Sequence, residues 1–237
     1  MTATSHPNDQ GQANLGDRAN RLRAGVLGAN DGIVSTAGLV LGVAATTVLR
    51  APILTAGLAG LVAGAMSMGV GEYVSVSTQR DTEHAALDRE REELATDPDG
   101  ELEELVHMYE EKGLSSGLAR QVAVELSGGD RVLEVHAEME LGITPGQTVS
   151  PWAAAIVSTV SFSIGSLLPL AAILIPPAAW RSWITFVAVL VALALTGSVS
   201  ARLGGANRGK AVVRVLVGGA LAMAITYGIG RLIGGHV

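Results

Sequence analysis

Five long stretches of this sequence carry almost no charged side chains, and they constrain its fold more than any other feature. Each approaches or exceeds the roughly 20 apolar residues that a helix needs to cross a hydrocarbon core about 30 Å thick. The sequence therefore predicts an all-α integral membrane protein with five transmembrane helices in a lipid bilayer. The stretches cover residues 24–49, 51–78, 151–180, 182–201 and 211–230.

Charge is distributed very unevenly around these stretches. The 237-residue chain has a net charge of −6, yet 18 of its 22 acidic residues lie between Thr78 and Ser150, with only 6 of its 16 lysines and arginines. This segment thus has a net charge of −12, and the rest of the chain has +6. A dense acidic segment repels nucleic acid and attracts cations. We therefore expect cationic partners and no nucleic acid.

Lysines and arginines near the ends of the spans predict the orientation, because cytosolic loops carry an excess of them. They cluster before the first span, after the second and between the fourth and fifth, whereas the opposite ends hold only Arg50, Arg181 and Arg231. We expect the N-terminus and the acidic segment in the cytosol. Residues 1–17 are polar and lack the apolar core of a signal peptide, which predicts a flexible cytosolic tail. With no organellar targeting segment in view, the expected location is a bacterial plasma membrane.

The acidic segment has the helix start and stop signals of a folded helical domain. The second span is expected to continue as a helix to about Leu94, and Asp97-Pro98 then provides a cap and a first-turn proline. Further helices are predicted from Ser115 or Ser116 to Gly128-Gly129 and from Asp130 to Gly142. We predict a tail at 1–17, spans 1–2 at 18–78, a cytosolic helical metal-binding domain at 79–148 and spans 3–5 at 149–237.

Two carboxylates lie inside otherwise apolar spans, Asp31 in the first and Glu72 in the second. An acid at the membrane centre costs about 2.5–3.5 kcal/mol on insertion scales, so it is a functional candidate by default. Met68 precedes Glu72 by four residues and shares its helix face. A thioether beside carboxylates suits a borderline metal such as Fe²⁺ better than Mg²⁺ or Ca²⁺. The alternative is that both acids are solvated at the headgroup boundary.

Paired acids also occur in the acidic segment. Glu90 and Glu93 are three residues apart, as are Glu101 and Glu104, so each pair shares a helix face. His136 and Glu140, four residues apart, could complete a metal site. The chain has no cysteine, so any such site must use oxygen, imidazole or thioether ligands. The alternative is an ordinary solvated acidic surface.

A third possibility is oxidation chemistry, because Glu104 and His107 match the Glu-x-x-His motif of di-iron bundles. Such a bundle needs two of these motifs and two further glutamates on long helices. The second candidate here is only Asp81 to His84, so a ferroxidase is the least favoured reading. No glycine-rich phosphate loop precedes a helix, which leaves ATP-driven transport unsupported.

Several motifs, in order, resemble the vacuolar iron transporter family. They are ANDGIVS at 29–35, SMGVGEYVS at 67–75, QRD at 79–81, Tyr109 with KGLS at 112–115, and SF…GS…PL at 161–170. The resemblance implies five membrane helices, a homodimer, a cytosolic helical metal-binding domain and exchange of Fe²⁺, sometimes Mn²⁺, for protons. Glycines spaced four apart, such as Gly60 and Gly64, are compatible with a dimer or with packing inside one bundle.

By position, the resemblance assigns the transport pathway to Asp31, Met68 and Glu72. It assigns metal binding in the cytosolic domain to a set of glutamates, Glu90, Glu93, Glu101, Glu104 and Glu140. His136 and Ala137 stand where the family can have paired methionines, which affects the metal preference. The expected function is a proton-coupled carrier that exports Fe²⁺ or Mn²⁺ from the cytosol, with these ions as cargo and no resident cofactor. The alternative is a membrane-anchored metal sensor or buffer that carries nothing.

Overall fold

The computed structural model describes residues 7–129, 131–145 and 149–234, with side chains from Asn20 onward. Every regular element in this part of the chain is helical. The helices are α1 (Pro7–Thr46), α2 (Arg50–Thr96), α3 (Pro98–Glu111), α4 (Ser116–Ser127), α5 (Val132–His136), a π-helical turn (Ala137–Leu141), α6 (Pro151–Leu174), α7 (Arg181–Leu203) and α8 (Arg208–Gly234).

Five of these helices are long and apolar enough to cross a bilayer: α1 from Asn20, α2, α6, α7 and α8. Their exposed side chains include rows of large apolar residues, such as Val62, Met66 and Val70 on α2. Such rows suit a hydrocarbon solvent, since lipid tails are as apolar as leucine. The all-α architecture is confirmed, and the five candidate spans fit the predicted multi-pass integral membrane protein.

The chain divides into two compact units. The membrane unit consists of Arg18–Val74 and Ser150–Val237, and the acidic unit is Ser75–Val149, with which the N-terminal segment to Asp17 is grouped. The first boundary falls inside α2, which is one continuous helix of 47 residues and therefore about 70 Å long. Only its apolar part can lie in a hydrocarbon core of about 30 Å.

All five long helices contribute to the core of the membrane unit, which includes Val40, Ile53, Ile173, Leu193 and Met223. Glycines allow the closest helix contacts. A Cβ at Gly32 of α1 would lie 2.2 Å from the carbonyl oxygen of Phe162 on α6, and one at Gly230 of α8 would lie 2.1 Å from that of Gly42 on α1. The GxxxG spacings at Gly38–Gly42 and Gly230–Gly234 therefore serve packing within this bundle.

The acidic unit has its own small core, formed where α3 and α4 pack through Leu105, Val106, Ala119 and Ala123. Its helix boundaries follow the predicted start and stop signals. The Asp97 side chain accepts a hydrogen bond from the Gly100 amide (3.0 Å) at the start of α3. The α5 helix begins at Val132, and Asp130, where the sequence predicts its start, lies outside the described residues. The π-helical turn ends at Gly142, whose left-handed backbone (φ 65°) suits glycine.

The N-terminal segment differs from its prediction. The sequence predicts a flexible tail to Asp17, whereas the structure has a helix from Pro7 that continues without interruption into the first span. Proline is well suited to the first helical position, and no further proline follows before Thr46 to interrupt the helix. Residues 1–6 lie outside the described residues.

Candidate metal centre

Four potential metal ligands come together in the acidic unit. Glu90 of α2, Glu101 of α3, His136 of α5 and Glu140 of the π-helical turn each offer a ligand atom, and these atoms all lie within 4.8 Å of one another. The chain thus gathers residues that are up to fifty positions apart. Three carboxylates and one imidazole form a mixed oxygen and nitrogen donor set.

Local structure explains how these side chains are brought together. A single residue, Asp97, separates α2 from α3, so that Glu90 and Glu101 lie on either side of one short connection. His136 and Glu140 lie where α5 widens into the π-helical turn. Such π-helical turns are rare and frequently occur at functional sites. Leu105 and Val106, in the turn of α3 that follows Glu101, are buried in the core of the unit.

The centre of this cluster is almost completely enclosed. His136 Nδ1 lies 3.3 Å from Glu90 Oε1 and 3.5 Å from Glu101 Oε2, and the His136 and Glu90 side chains are each 1% exposed. Neither imidazole nitrogen has a hydrogen-bond partner in the described part of the chain, and neither does Glu90 Oε1 or Glu101 Oε2. Buried polar atoms in proteins nearly always have a partner. Three of these atoms lie together, His136 Nδ1 with Glu90 Oε1 and Glu101 Oε2, and they therefore fit a coordinated cation.

In the metal-free protein, the pKa values of the cluster shift in the direction that favours the uncharged forms of these groups. Burial raises the pKa of Glu90 to about 7, with further contributions from the nearby Glu140, Glu101 and Glu93 carboxylates. Burial, followed by the charge of Glu104, also raises the pKa of Glu101. Burial lowers the pKa of His136, which favours the neutral imidazole that metals bind. A divalent cation would supply the positive charge that the cluster lacks.

Two of the predicted glutamates, Glu93 and Glu104, lie outside this group of four. Both are exposed, and each raises the pKa of a cluster carboxyl through its charge. His107, which the ferroxidase reading requires, is 71% exposed and lies 3.6 Å from Glu111 of its own helix. His84 is also exposed. Neither histidine belongs to the cluster, so the described residues do not form the two-motif di-iron arrangement.

In the membrane unit, the structure brings Asp31 and Met68 to one cavity. This cavity has a volume of about 250 Å³ and is also lined by the hydroxyl residues Ser35, Thr36 and Ser67. Glu72 does not line it. Its carboxylate is 9% exposed and lies 3.4 Å from the guanidinium of Arg23 on α1. This ion pair is not among the sequence predictions, although an arginine at the same end of the neighbouring span was a signal for it.

The VIT family model matches residues 22–231, which include the metal cluster and the Asp31, Met68, Arg23 and Glu72 positions. The chain belongs to the VIT family. Among similar proteins, the "Vacuolar iron transporter" of Acanthamoeba castellanii is 46% identical over 212 residues, which cover 89% of this chain and 78% of that protein. The "Vacuolar iron transporter homolog 1" of Oryza sativa subsp. japonica is 40% identical over 231 residues, covering 97% and 81%. The "Vacuolar iron transporter homolog 4" of Arabidopsis thaliana is 38% identical over 220 residues, covering 92% and 87%.

In this VIT-family chain, a thioether lies close to the cluster without belonging to it. Met139, in the π-helical turn, accepts a hydrogen bond at its Sδ atom from Lys112 Nζ (3.4 Å). The buried position facing Glu90 and Glu101 is instead occupied by the His136 imidazole. An imidazole therefore stands at a position where the family resemblance allows a methionine thioether.

Proposed function

We propose that this protein is a proton-coupled carrier that exports Fe²⁺ or Mn²⁺ from the cytosol. The observation that carries the proposal is the cluster of Glu90, Glu101, His136 and Glu140, in which Glu90 and His136 are buried, Glu101 is half-buried and Glu140 is exposed. Glu90, Glu101 and His136 each have an unpartnered ligand atom. Carboxylates with one imidazole suit borderline divalent metals, whereas Ca²⁺ and Mg²⁺ prefer all-oxygen sites. The names of the Acanthamoeba and plant relatives, all vacuolar iron transporters or their homologues, support the same cargo.

In this mechanism the acidic unit captures the ion, and Asp31 with Met68 forms the site in the membrane. Placing a carboxylate in an apolar span costs free energy, so such a residue is by default a candidate for a functional role. The hydroxyls of Ser35 and Ser67 in the same cavity offer further oxygen donors to a partly dehydrated ion. Glu72 joins the pathway by exchanging its Arg23 partner for the metal. The Arg23 side chain is 62% exposed, so water can solvate the guanidinium when the ion pair separates.

Proton coupling follows from the ligand chemistry. Carboxylates must be deprotonated to bind a metal, so protons and metal ions compete for the same oxygens. We place the N-terminus and the acidic unit in the cytosol because of the distribution of lysines and arginines. A proton gradient directed into the cytosol then drives metal outward. The bacterial plasma membrane and the homodimer stay predictions, the dimer to be checked by mass photometry of the purified protein.

The test is uptake of Fe²⁺ and Mn²⁺ into proteoliposomes with an imposed pH gradient and a clamped membrane potential. We compare the wild type with Asp31→Ala and with a deletion of about residues 80–146. The proposal requires flux that depends on the pH gradient, is abolished by Asp31→Ala and is only reduced by the deletion. Equal rates with and without the gradient would contradict proton coupling, and absence of flux in folded wild type would contradict transport.

A membrane-anchored sensor or buffer is the second candidate. It is favoured by one observation, which is that all four ligands of the metal cluster lie within the acidic unit and need no residue of the membrane unit. Metal flux in the wild type and in Asp31→Asn distinguishes the two functions, because both proteins are expected to keep metal binding. A carrier has flux that Asp31→Asn abolishes, whereas a buffer has no flux in either protein.

A further inference from the structure

One arginine in the membrane unit is buried and forms no ion pair among the residues that the structure describes. Arg181 is the first residue of α7, is 5% exposed, and has no hydrogen-bond partner for Nε or Nη1 in the described part of the chain. A guanidinium stays charged at every physiological pH, so it cannot escape this cost by losing a proton. Buried charges in proteins are paired. We therefore expect an anion to pair with the Arg181 guanidinium.

The membrane unit offers no side-chain carboxylate near Arg181. The membrane unit contains only two, Asp31 and Glu72, and none occurs anywhere from Ser150 to Val237. The Arg181 amide bonds to the carbonyl of Pro177, and Arg50 donates to the neighbouring carbonyl of Pro176 (3.4 Å). Arg50 begins α2, and Glu72 follows it by 22 residues, or about 33 Å along the helix.

Glu72 is also already paired with Arg23 (3.4 Å). Asp31 lines the same cavity as Met68, which lies about 27 Å along α2 from Arg50. Both acids are therefore far from the end of α2 at which Arg50 contacts the connection leading into α7. A counter-ion for Arg181 has to come from outside the side chains of this unit.

The surroundings of Arg181 suit a phosphate group. Side chains in the first helical turn point back toward the helix N-terminus, where the helix dipole and free amides favour anions. Trp180, the N-cap of α7, makes no side-chain capping bond that would compete for this position. The planar guanidinium donates two parallel hydrogen bonds to a phosphate, a geometry that lysine cannot reproduce. Arg50 adds a second positive charge at the same end of the unit.

We propose that Arg181 and the N-terminus of α7 form a binding site for a phosphate group, supplied by a phospholipid headgroup or by free phosphate. An apolar cavity of about 310 Å³ is lined by Ser182 and Trp183, which directly follow Arg181 in α7, and by Phe186, Met223 and Tyr227, among others. It provides space for part of an acyl chain beside the headgroup. The two sources of phosphate are separable by experiment.

The experiment measures the thermal unfolding midpoint of the full-length, delipidated protein in a neutral detergent at constant ionic strength. The probes are dioleoylphosphatidylglycerol, dioleoylglycerol, which has the same chains without phosphate, and inorganic phosphate. At roughly 100-fold excess over Kd, we expect a phosphate-bearing probe to raise Tm by about 5–10 °C. Dioleoylglycerol should raise it far less. A response to the phospholipid alone assigns a lipid site, and a response to inorganic phosphate assigns a free-anion site.

Three variants test the role of the guanidinium. Arg181→Gln should remove the gain, and it should raise Tm without probe because it removes an unpaired buried charge. Arg181→Lys should keep less than half of the gain. Arg231→Gln is the matched control, because Arg231 is exposed near the C-terminal end of α8, which packs near Thr46 at the same end of the unit. It should leave the gain unchanged.

An equal gain in the wild type and Arg181→Gln, or equal stabilisation by dioleoylglycerol, would overturn the proposal. If Arg181→Gln does not fold, native mass spectrometry decides between the wild type, Arg181→Lys and Arg231→Gln. The proposal then requires a bound phosphatidylglycerol or phosphate that survives in the wild type and in Arg231→Gln and is depleted at least tenfold in Arg181→Lys. Equal retention in all three would contradict it.

Discussion

His136 Nδ1 lies 3.3 Å from Glu90 Oε1, and this nitrogen and this oxygen, from side chains that are each 1% exposed, have no hydrogen-bond partner in the described residues. An imidazole and a carboxyl so enclosed are poor candidates for a solvated surface, which was the alternative reading of the acidic segment. Their approach is unfavourable for folding unless a proton or a metal ion compensates it.

Metal affinity should fall when the pH drops below 7. Since the pKa of Glu90 is about 7, its carboxyl is mostly protonated at pH 6 and mostly ionised at pH 8. Competition at this one group weakens Mn²⁺ binding by roughly tenfold between pH 8 and pH 6. Calorimetric titration of the purified protein with Mn²⁺ at both values measures the change. A pH-independent affinity would show that Glu90 is not a ligand.

The metal-free protein should lose stability as the pH rises from about 4.5 to 7. The pKa of Glu90 is raised from 4.5 to about 7 in the folded state, so the unfolded chain ionises first and the free energy of unfolding falls across this window. The loss from this group is at most about 3 kcal/mol. Glu90→Gln should therefore raise the Tm measured in chelator at pH 7.5 while weakening metal binding. A lower Tm for this variant would instead assign Glu90 a purely structural role.

Replacing His136 should change which metal is bound. His136→Met keeps a side chain of similar size in a fully buried position but exchanges imidazole for a thioether. We expect affinity for Mn²⁺ to drop by roughly tenfold or more, because a thioether is a softer and weaker ligand for this ion. Glu93→Gln, at an exposed position beside the cluster, serves as the comparison and should have a smaller effect. Equal losses in the two variants would argue against direct coordination by His136.

The contact between α1 and α6 should tolerate no added methyl group. In Gly32→Ala the new Cβ would lie 2.2 Å from the Phe162 carbonyl oxygen, so the two helices must separate beside Asp31. We expect a loss of about 1–3 kcal/mol of stability together with reduced metal flux. Gly71→Ala is the control, because nothing lies within 4 Å of its added Cβ. Its Tm should stay the same or rise slightly, since alanine favours helix more than glycine does.

The sequence predicted most of the helices because their signals are local. Charge-free windows identify the five spans, and Asp97 with Pro98 marks the start of α3 through one side-chain cap. Helical spacing placed Glu90 and Glu101 among the candidate ligands but could not separate them from Glu93 and Glu104. That separation depends on packing of α2 and α3 against the π-helical turn, whose widened geometry has no distinct residue signature.

Long-range pairings were only partly visible in the sequence. Arg23 and Glu72 are 49 residues apart and lie at the same end of neighbouring spans, which is compatible with an ion pair, but nothing in either span indicates that Glu72 stays outside the cavity of Asp31 and Met68. The helix from Pro7 was missed for a different reason. Polar composition was taken as evidence for a flexible tail, although a polar segment without internal proline can continue an adjoining helix.

The scarcity of acidic residues in the membrane unit limits the stoichiometry of any proton exchange. Asp31 and Glu72 are its only side-chain carboxyls, so these groups can carry at most two protons per chain in each turnover. Two is also the number at which exchange for one divalent ion is electroneutral. If both take part, the reversal potential of transport will depend on the pH gradient and not on voltage. If Glu72 stays bound to Arg23, only one proton returns per ion, and the carrier becomes electrogenic.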